Sequence, residues 1–207
     1  MGLSIHYEFN AGDRSAVEVL NLLQSLHDQA HRLSFHEVDA QIKHLSKKAC
    51  ELRSGENTAA FLSLVASQVE PSTLKMQTPD QVLGFTALPR LGSEALPVFL
   101  AQYPGSQHWV SSGHCKTMFA GLPEYGGTAN FVLAHVLVVE VLCQAQQLGI
   151  VESVFDESGY WEERNLLCLV DRAELSTLAD EVSKQSGNIP SDFMSSLLKQ
   201  IKSVVPQ

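Results

Sequence analysis

Apolar residues recur at helical spacing in four segments of the chain. They repeat every three or four positions over about 14–33, 172–186 and 191–205, and they fill most positions in the first half of 128–148. Because a period of 3.6 residues places such positions on one side of a helix, we predict four helices. The helix over 128–148 must be deeply buried at its N-terminal end, since its polar stripe begins only at Glu140.

Alternating apolar and polar residues, or short apolar runs between prolines and glycines, predict strands in much of the remaining chain. The predicted strands cover 2–9, 35–45, 60–69, 81–88 and 108–120. The predicted hairpin covers 150–170 and turns around Ser158 and Gly159, and the predicted loops cover 47–58 and 89–97.

The period of two in the strands also assigns side chains to faces. In the first strand, His6 and Glu8 share one face. In the strand that contains the motif HCKT, Cys115 and Lys116 point to opposite faces, so they serve one pocket only if a bulge intervenes. Gly113 is the candidate position for such a bulge.

The order of the predicted elements is strand, helix, several strands, helix, hairpin and two helices. Consecutive strands favour a largely antiparallel or mixed β-sheet with helices packed on it, which is an α+β fold. With 207 residues, we expect a single globular domain over 1–207. Asp13 is the expected N-cap of the first helix, and Gly149 is the expected end of the second.

The charge balance restricts the classes of partner. The net charge is −9, from 23 acidic and 14 basic residues, which argues against nucleic acid and against an anionic membrane surface. The longest apolar run, over 131–139, is too short to span a membrane. The first ten residues lack the charged and apolar regions of a signal peptide. We therefore expect a soluble, acidic, cytoplasmic protein.

The four cysteines, at positions 50, 115, 143 and 168, are far apart in the sequence. No two of them have the C-x-x-C spacing that is typical of structural zinc sites. We expect reduced thiols and no disulfide. No metal site is predicted either. His114, His135 and Asp156 would have to come together from distant segments, and no H-x-x-x-H or H-x-H motif supports a metal site.

The segment GLPEYGGT, over 121–128, resembles a phosphate-binding loop in its spacing and in its place before a helix. The lysine that such a loop needs is replaced by Gly127, which argues against nucleotide hydrolysis. The first-turn N–H groups of the helix remain a candidate anion site that faces the neighbouring strand and hairpin. The favoured interpretation is a glycine turn that allows close packing of strand and helix.

Cys115 and His135 are the candidate reacting groups. A nucleophilic cysteine needs a neighbour that lowers its pKa, and His135 or the N-terminus of the following helix could do so. A free cysteine is more often a small core residue. His135 lies about 140° around the helix from the polar stripe. We therefore expect it to be buried and hydrogen-bonded to the strand over 113–120 or to the hairpin over 150–164.

The motif DESGYWEER, over 156–164, is rich in carboxylates and aromatic rings. Asp156 is the third catalytic candidate, and Tyr160, Trp161 and Arg164 are candidate binding residues. The favoured interpretation is a solvated hairpin tip in which Arg164 is paired locally.

Residues 108–175 resemble a family of bacterial proteins of unknown function. The resemblance is carried by three motifs, HWVSSGHCKTMFA, GGTANFVLAHVLVVEVL and DESGYWEERNLLCL. The first 100 residues match only loosely, through GLSIHY and GFTALPRLGSE. Met118 stands where the family pattern has glutamine, and Phe119 stands where it has tyrosine. The resemblance implies no activity, cofactor or partner.

We expect the functional site at the seam between the strand over 113–120, the turn over 126–130 and the hairpin over 156–164. The first hypothesis is a domain that binds a small molecule or a protein there. The second is a small-molecule enzyme that uses Cys115 or His135, and the third is a homo-oligomer with the aromatic hairpin as its interface. The predicted binding residues are Lys116, Thr117, Gly126, Gly127, Thr128, Tyr160, Trp161 and Arg164. The ligand and any cofactor stay open.

Overall fold

The fold is built on one antiparallel sheet. A computed structural model describes residues 3–51, 58–70, 75–171, 174–185 and 187–204. The strands, in chain order, are β1 (Ser4–Gly12), β2 (Glu37–Val38), β3 (Lys43–Ser46), β4 (Gln68–Glu70), β5 (Lys75–Gln77), β6 (Gln81–Leu88), β7 (Leu96–Gln102), β8 (Trp109–Lys116) and β9 (Val151–Asp156). The main sheet has the order β2-β6-β7-β8-β1-β9, with β3 also pairing with β6, while β4 pairs with β5 alone. The predicted α+β class is confirmed.

The helices that the apolar period predicts are all present. In chain order the helices are α1 (Ala16–Arg32), α2 (Lys47–Glu51), α3 (Thr58–Val65), α4 (Gly127–Gln147), α5 (Tyr160–Glu163), α6 (Leu175–Gln185) and α7 (Ser191–Val204). The N-cap of α1 is Ser15 rather than the expected Asp13, because β1 continues to Gly12. Ser15 and Glu18 form a capping box, which satisfies the first N–H groups of the helix.

One face of the sheet carries the main core. Helices α1 and α4 pack against this face, and α6 and α7 cover the outer side of α4. The α4 helix therefore has protein on both sides, and it is buried without interruption from Ala129 to Val139. By length and composition α4 could also cross a membrane, but 78% of its most apolar stretch is buried inside the protein, as in the core helix of a soluble domain.

Over the described ranges of the chain, the opposite face of the sheet is covered at one end only. Helix α3 packs there over β3, β6 and β7, and a small second core joins Leu62 to Val82 and Phe99. Beyond α3, side chains of β8, β1 and β9 on this face are exposed, His6 and His114 among them. The sheet thus has one fully covered face and one that is half open.

Two segments differ in type from their prediction. Residues 60–69, predicted as a strand, belong mostly to α3, and the first five residues of the predicted loop over 47–58 form α2. Residues 52–57 lie outside the described residues. The α3 sequence is apolar at nearly every position, so its period is uninformative, and its helical form buries Leu62 and Ala66 against the sheet.

Four further predictions about the strands are wrong at least in part. The segment over 35–45 forms two short strands, β2 and β3, and β7 begins inside the predicted loop over 89–97. The predicted hairpin has a first strand only, because Gly159 adopts a left-handed φ of 80° and starts the short helix α5. Gly113 forms no bulge, since the pairing of β8 with β1 is regular through this position.

Candidate functional site

Three of the predicted residues meet in a buried cluster on the covered face of the sheet. The Thr117 hydroxyl lies 2.9 Å from His135 Nδ1, and His135 Nε2 lies 3.0 Å from Asp156 Oδ2. The side chains of His135 and Asp156 are both 0% exposed. The expected burial and hydrogen bonding of His135 is confirmed, with one partner on each side in the sequence.

Three elements position this cluster. Thr117 directly follows β8, His135 lies in the middle of α4, and Asp156 is the last residue of β9. The Asp156 carboxylate also accepts hydrogen bonds from the Ser158 N–H at 2.9 Å, the Ser158 hydroxyl at 2.7 Å and the Trp161 N–H at 2.9 Å. The cluster therefore ties the strand, the helix and the start of α5 together.

The electrostatics of the cluster favour an ionised carboxylate. Burial tends to raise the pKa of Asp156, but the hydrogen bond and attraction from His135, together with the bonds from Ser158, outweigh burial and lower this pKa to about 2. A buried carboxylate with this many internal donors is held in place and has little freedom to exchange protons with a substrate. We interpret the cluster as a structural clamp.

Cys115 is not part of this cluster. Its side chain is fully buried on the covered face, and its thiol donates to the backbone carbonyl of Glu94 at 3.3 Å. Burial, followed by the charge of Glu94, raises the pKa of the thiol far above its ordinary value. An activated nucleophile needs the opposite shift. Cys115 therefore lacks the lowered pKa that the enzyme hypothesis requires of a nucleophile. Lys116 points to the opposite face of the sheet from Cys115, as expected.

The glycine turn lies on another surface. Gly126 and Gly127 both have left-handed φ angles, of 114° and 69°; Gly126 is the N-cap of α4, and Gly127 and Thr128 are its first two residues. Beside this turn, Arg90 Nε donates to Asn130 Oδ1 at 2.9 Å. The favoured interpretation as a structural turn agrees with this geometry, and the turn does not join the buried cluster.

The predicted hairpin tip is a small packed unit. The Arg164 guanidinium lies 4.6 Å from the centre of the Trp161 ring, so it is paired locally, as the sequence suggests. Tyr160 is buried, and its hydroxyl donates to Gln200 at 3.1 Å. The burial raises the pKa of Tyr160 to about 12. The predicted seam is thus filled by protein.

A large recess lies on the half-open face of the sheet, and we call it the sheet groove. Its volume is about 740 Å³. Its floor is formed by His6 and Glu8 of β1, Ser112 and His114 of β8, and Ser153 and Phe155 of β9. Phe61 and Val65 of α3 form one wall, and Glu94 lies at its edge.

Two histidines from adjacent strands dominate the floor of the sheet groove. His6 and His114 are direct cross-strand partners, and their rings stack with centres 5.6 Å apart. The Phe155 ring lies beside His6 at 6.2 Å between centres. His114 Nε2 lies 3.6 Å from Glu94 Oε2, and Lys116 Nζ lies 3.5 Å from Glu94 Oε1. The floor therefore combines aromatic faces with charged groups.

A tyrosine closes the bottom of the sheet groove. The Tyr7 hydroxyl donates to the Pro97 carbonyl of β7, and the ring lies over Gly113 of β8. A Cβ atom at position 113 would come within 2.5 Å of the Tyr7 hydroxyl. Glycine is therefore needed here for the close approach of the ring. Burial raises the pKa of Tyr7 well above its ordinary range, so this hydroxyl remains a neutral donor.

The three metal-ligand candidates considered from the sequence do not lie on one face of the sheet. His114 lies on the half-open face, whereas His135 and Asp156 lie on the covered face. Among the described residues, no group of three or more histidine, cysteine or acidic side chains could hold a metal ion.

The groove residues were largely absent from the sequence-based site. The alternation of β1 does place His6 and Glu8 on one face, and that of β8 places His114 and Lys116 on one face. The pattern gives no information about the pairing of β1 with β8, which joins residues from distant parts of the sequence, such as His6 and His114. The wall supplied by α3 was hidden as well, since that segment was expected to be a strand.

Comparisons of the chain with protein-family models, with curated proteins and with solved structures found no match. The resemblance of residues 108–175 to bacterial proteins of unknown function therefore stays a prediction. The function has to be argued from the geometry alone.

Proposed function

We propose that the protein works by binding a small molecule with a flat apolar body in the sheet groove. The proposal rests on one observation above all, the exposure of Phe155 beside a large recess. Phe155 is 63% exposed, and it lines a recess of about 740 Å³, within the range of about 300–1,000 Å³ that small-molecule sites occupy. An exposed large aromatic side chain in a concave site offers stacking area to a ligand.

The floor of the groove is rigid. It consists of three strands held by continuous antiparallel hydrogen bonding, with His6 paired both to His114 and to Phe155. A preformed site reduces the loss of conformational entropy on binding, because the protein does not have to become ordered around the ligand. The imidazoles and the Ser112 hydroxyl would orient the ligand, while Phe155 would supply most of the apolar contact.

A second copy of the chain is a weaker candidate for this face. In a two-fold dimer the same surface meets itself, so the carboxylates of Glu8 and Glu94 would approach their own copies. The floor is also concave, and it mixes polar with apolar groups, whereas the centre of a stable interface is apolar and depleted of charge. We therefore assign the groove to a small molecule.

We place this activity in the cytoplasm. The four cysteines are all free thiols, and two of them are only half-buried. Free, accessible thiols are characteristic of a reducing compartment. The acidic charge of the chain, at −9, also favours small molecules over nucleic acid or anionic membranes as partners.

The experiment uses Nile red, a flat, neutral, apolar dye whose fluorescence rises on leaving water. We expect saturable binding to the protein and a clear loss of affinity in Phe155→Ser, because this variant removes the exposed ring and little buried area. Phe119→Ser is the matched control, since Phe119 is 46% exposed and does not line the groove. Equal loss in both variants contradicts the proposal. So does light scattering that shows a dimer which only Phe155→Ser dissociates.

A further inference from the structure

We infer that the ligand of the sheet groove carries a positive charge beside its apolar body, as an amine, a quaternary ammonium or a guanidinium does. This inference rests on the proposed function and adds the chemical class of the ligand. It follows from the charges and aromatic rings around the groove, taken together.

The carboxylates of the groove outnumber its cations. Glu8 and Glu94 line the groove, and Glu157 lies at its end, 4.0 Å from His6 Nε2. Lys116 is the ammonium group beside these residues. Of the residues that the structure describes, three carboxylates therefore lie in or beside the groove together with one ammonium group, that of Lys116.

Each group in the groove that can be positive already has an acidic neighbour. Glu94 serves both Lys116 Nζ, at 3.5 Å, and His114 Nε2, at 3.6 Å. Glu157 serves His6, and it also accepts hydrogen bonds from the backbone N–H and the hydroxyl of Ser4. An anionic ligand would have to compete with these carboxylates for every cation. Like-charge contact of this kind opposes binding.

Glu8 is the carboxylate that a cationic ligand would meet. Its Oε2 accepts a hydrogen bond from the Ser153 hydroxyl at 2.8 Å, which holds the carboxylate on the floor between β1 and β9. Glu8 forms no ion pair within the part of the chain that the structure describes. A cation on the ligand would therefore give the Glu8 carboxylate an opposite charge.

The aromatic rings favour the same charge. Phe155 and Phe61 are 63% and 38% exposed, and both line the groove, one on β9 and one on α3. The faces of aromatic rings carry partial negative charge and attract cations, and aromatic sites for quaternary ammonium groups use this attraction. The rings and the carboxylates thus select a cation by two separate interactions.

The test compares three probes that share a naphthalene ring and differ in charge at neutral pH. They are 2-naphthylmethylammonium, 2-naphthylmethanol and 2-naphthoate, each titrated into the full chain by isothermal calorimetry or fluorescence. We expect the ammonium probe to bind about tenfold more tightly than the alcohol, a difference of about 1.4 kcal/mol. We expect the naphthoate to bind most weakly of the three.

Glu8→Gln tests the origin of the preference, since the amide can still accept from Ser153. We expect this variant to lose most of the tenfold preference while its affinity for the alcohol stays constant. Glu152→Gln is the matched control, because Glu152 is an exposed carboxylate on the edge strand β9, next to the groove residue Ser153 but not in the groove itself. The control should keep the full preference.

The outcomes separate this inference from the proposed function. Equal binding of all three probes, or tightest binding of naphthoate, overturns the inference that the ligand is positively charged. In that case the groove remains the binding site if Phe155→Ser weakens the binding. An ammonium preference that survives Glu8→Gln unchanged overturns the role of the groove carboxylates. Binding of none of the probes, or binding that Phe155→Ser leaves unchanged, overturns the proposed function itself.

Discussion

His135 Nε2 lies 3.0 Å from Asp156 Oδ2, with both side chains shielded from solvent between α4 and the end of β9. Their contact joins the central helix to the last strand of the sheet. Two of the three catalytic candidates from the sequence, His135 and Asp156, are therefore partners of each other. The groups that are open to a ligand lie on the opposite, half-open face, where His6 and His114 stack.

Replacement of His135 tests its structural role. We expect His135→Gln to lower the free energy of unfolding by about 1–3 kcal/mol, because Asp156 and Thr117 lose a buried partner. Binding in the sheet groove should be unchanged, since His135 lies on the other face. Urea unfolding and Nile red titration of the same samples measure both effects.

His44→Gln is the matched control for that experiment, because His44 is exposed on β3. It should leave the free energy of unfolding within about 0.5 kcal/mol of the parent value. A His135→Gln protein that is as stable as this control, or that is folded but no longer binds the dye, is incompatible with a structural clamp.

The stability of the protein should fall at acid pH through Asp156. The folded-state pKa, about 2, lies below the ordinary value of 3.8. The carboxylate therefore contributes its stability above about pH 4 and loses it as the pH falls from about 4 to about 2. The size of this contribution is about 2 kcal/mol. Urea midpoints measured across this pH range would show it.

Two variants isolate the contribution of Asp156 to that acid loss. In Asp156→Asn the fall between about pH 4 and pH 2 should be smaller by about 2 kcal/mol, because the titrating group is gone. Asp180→Asn removes an exposed carboxyl of α6 and should leave the pH dependence unaltered. An identical acid profile in the parent and in Asp156→Asn would mean that Asp156 is not a strongly perturbed acid.

The buried thiols should resist alkylation. Burial raises the pKa of Cys115 and of Cys50, and both side chains are fully buried. With iodoacetamide at mildly alkaline pH, we expect labelling of the half-buried Cys143 and Cys168 and protection of the other two until urea is added. Mass spectrometry of the unreduced protein reports the sites and should find four thiols. Rapid labelling of native Cys115 would restore it as a candidate nucleophile.

Gly113 should be intolerant of a side chain. A Cβ atom there would meet the Tyr7 hydroxyl at 2.5 Å, so Gly113→Ala should destabilise the protein by about 1–3 kcal/mol through overpacking. Ser112→Ala is the neighbouring control and should be nearly neutral. In the double variant Gly113→Ala with Tyr7→Phe, the two effects should be less than additive, because the clash is partly relieved. Additive effects would show that the ring does not lie over Gly113.

The elements with a clear apolar period were predictable from the sequence. The segment that forms α1 places Val19, Leu23, Leu26 and Ala30 on one face, and these are its buried apolar residues. The segment that forms α3 is apolar almost throughout, so a helix and a strand would bury it equally well. Whether this segment forms a helix or a strand depends on its packing against the sheet face beneath it. The local sequence pattern holds no information about that packing.

The candidate site was likewise predictable only in part. The phase of α4 was enough to predict that His135 is buried and bonded, because this argument needs only one helix and its polar stripe. The sheet groove needs the pairing of β1 with both β8 and β9. Such long-range pairing is decided by tertiary packing, so the alternation of each strand alone could not bring His6, His114 and Phe155 together.

The most direct test of the sheet groove as the ligand site is an amide NMR titration of isotopically labelled protein with 2-naphthylmethylammonium. The account predicts saturable shifts at His6, Glu8, Ser112, His114, Ser153 and Phe155, with Thr117, His135 and Asp156 unaffected, and loss of the shifts in Phe155→Ser. Shifts centred on Thr117, His135 and Asp156, with the groove residues unmoved, would contradict it.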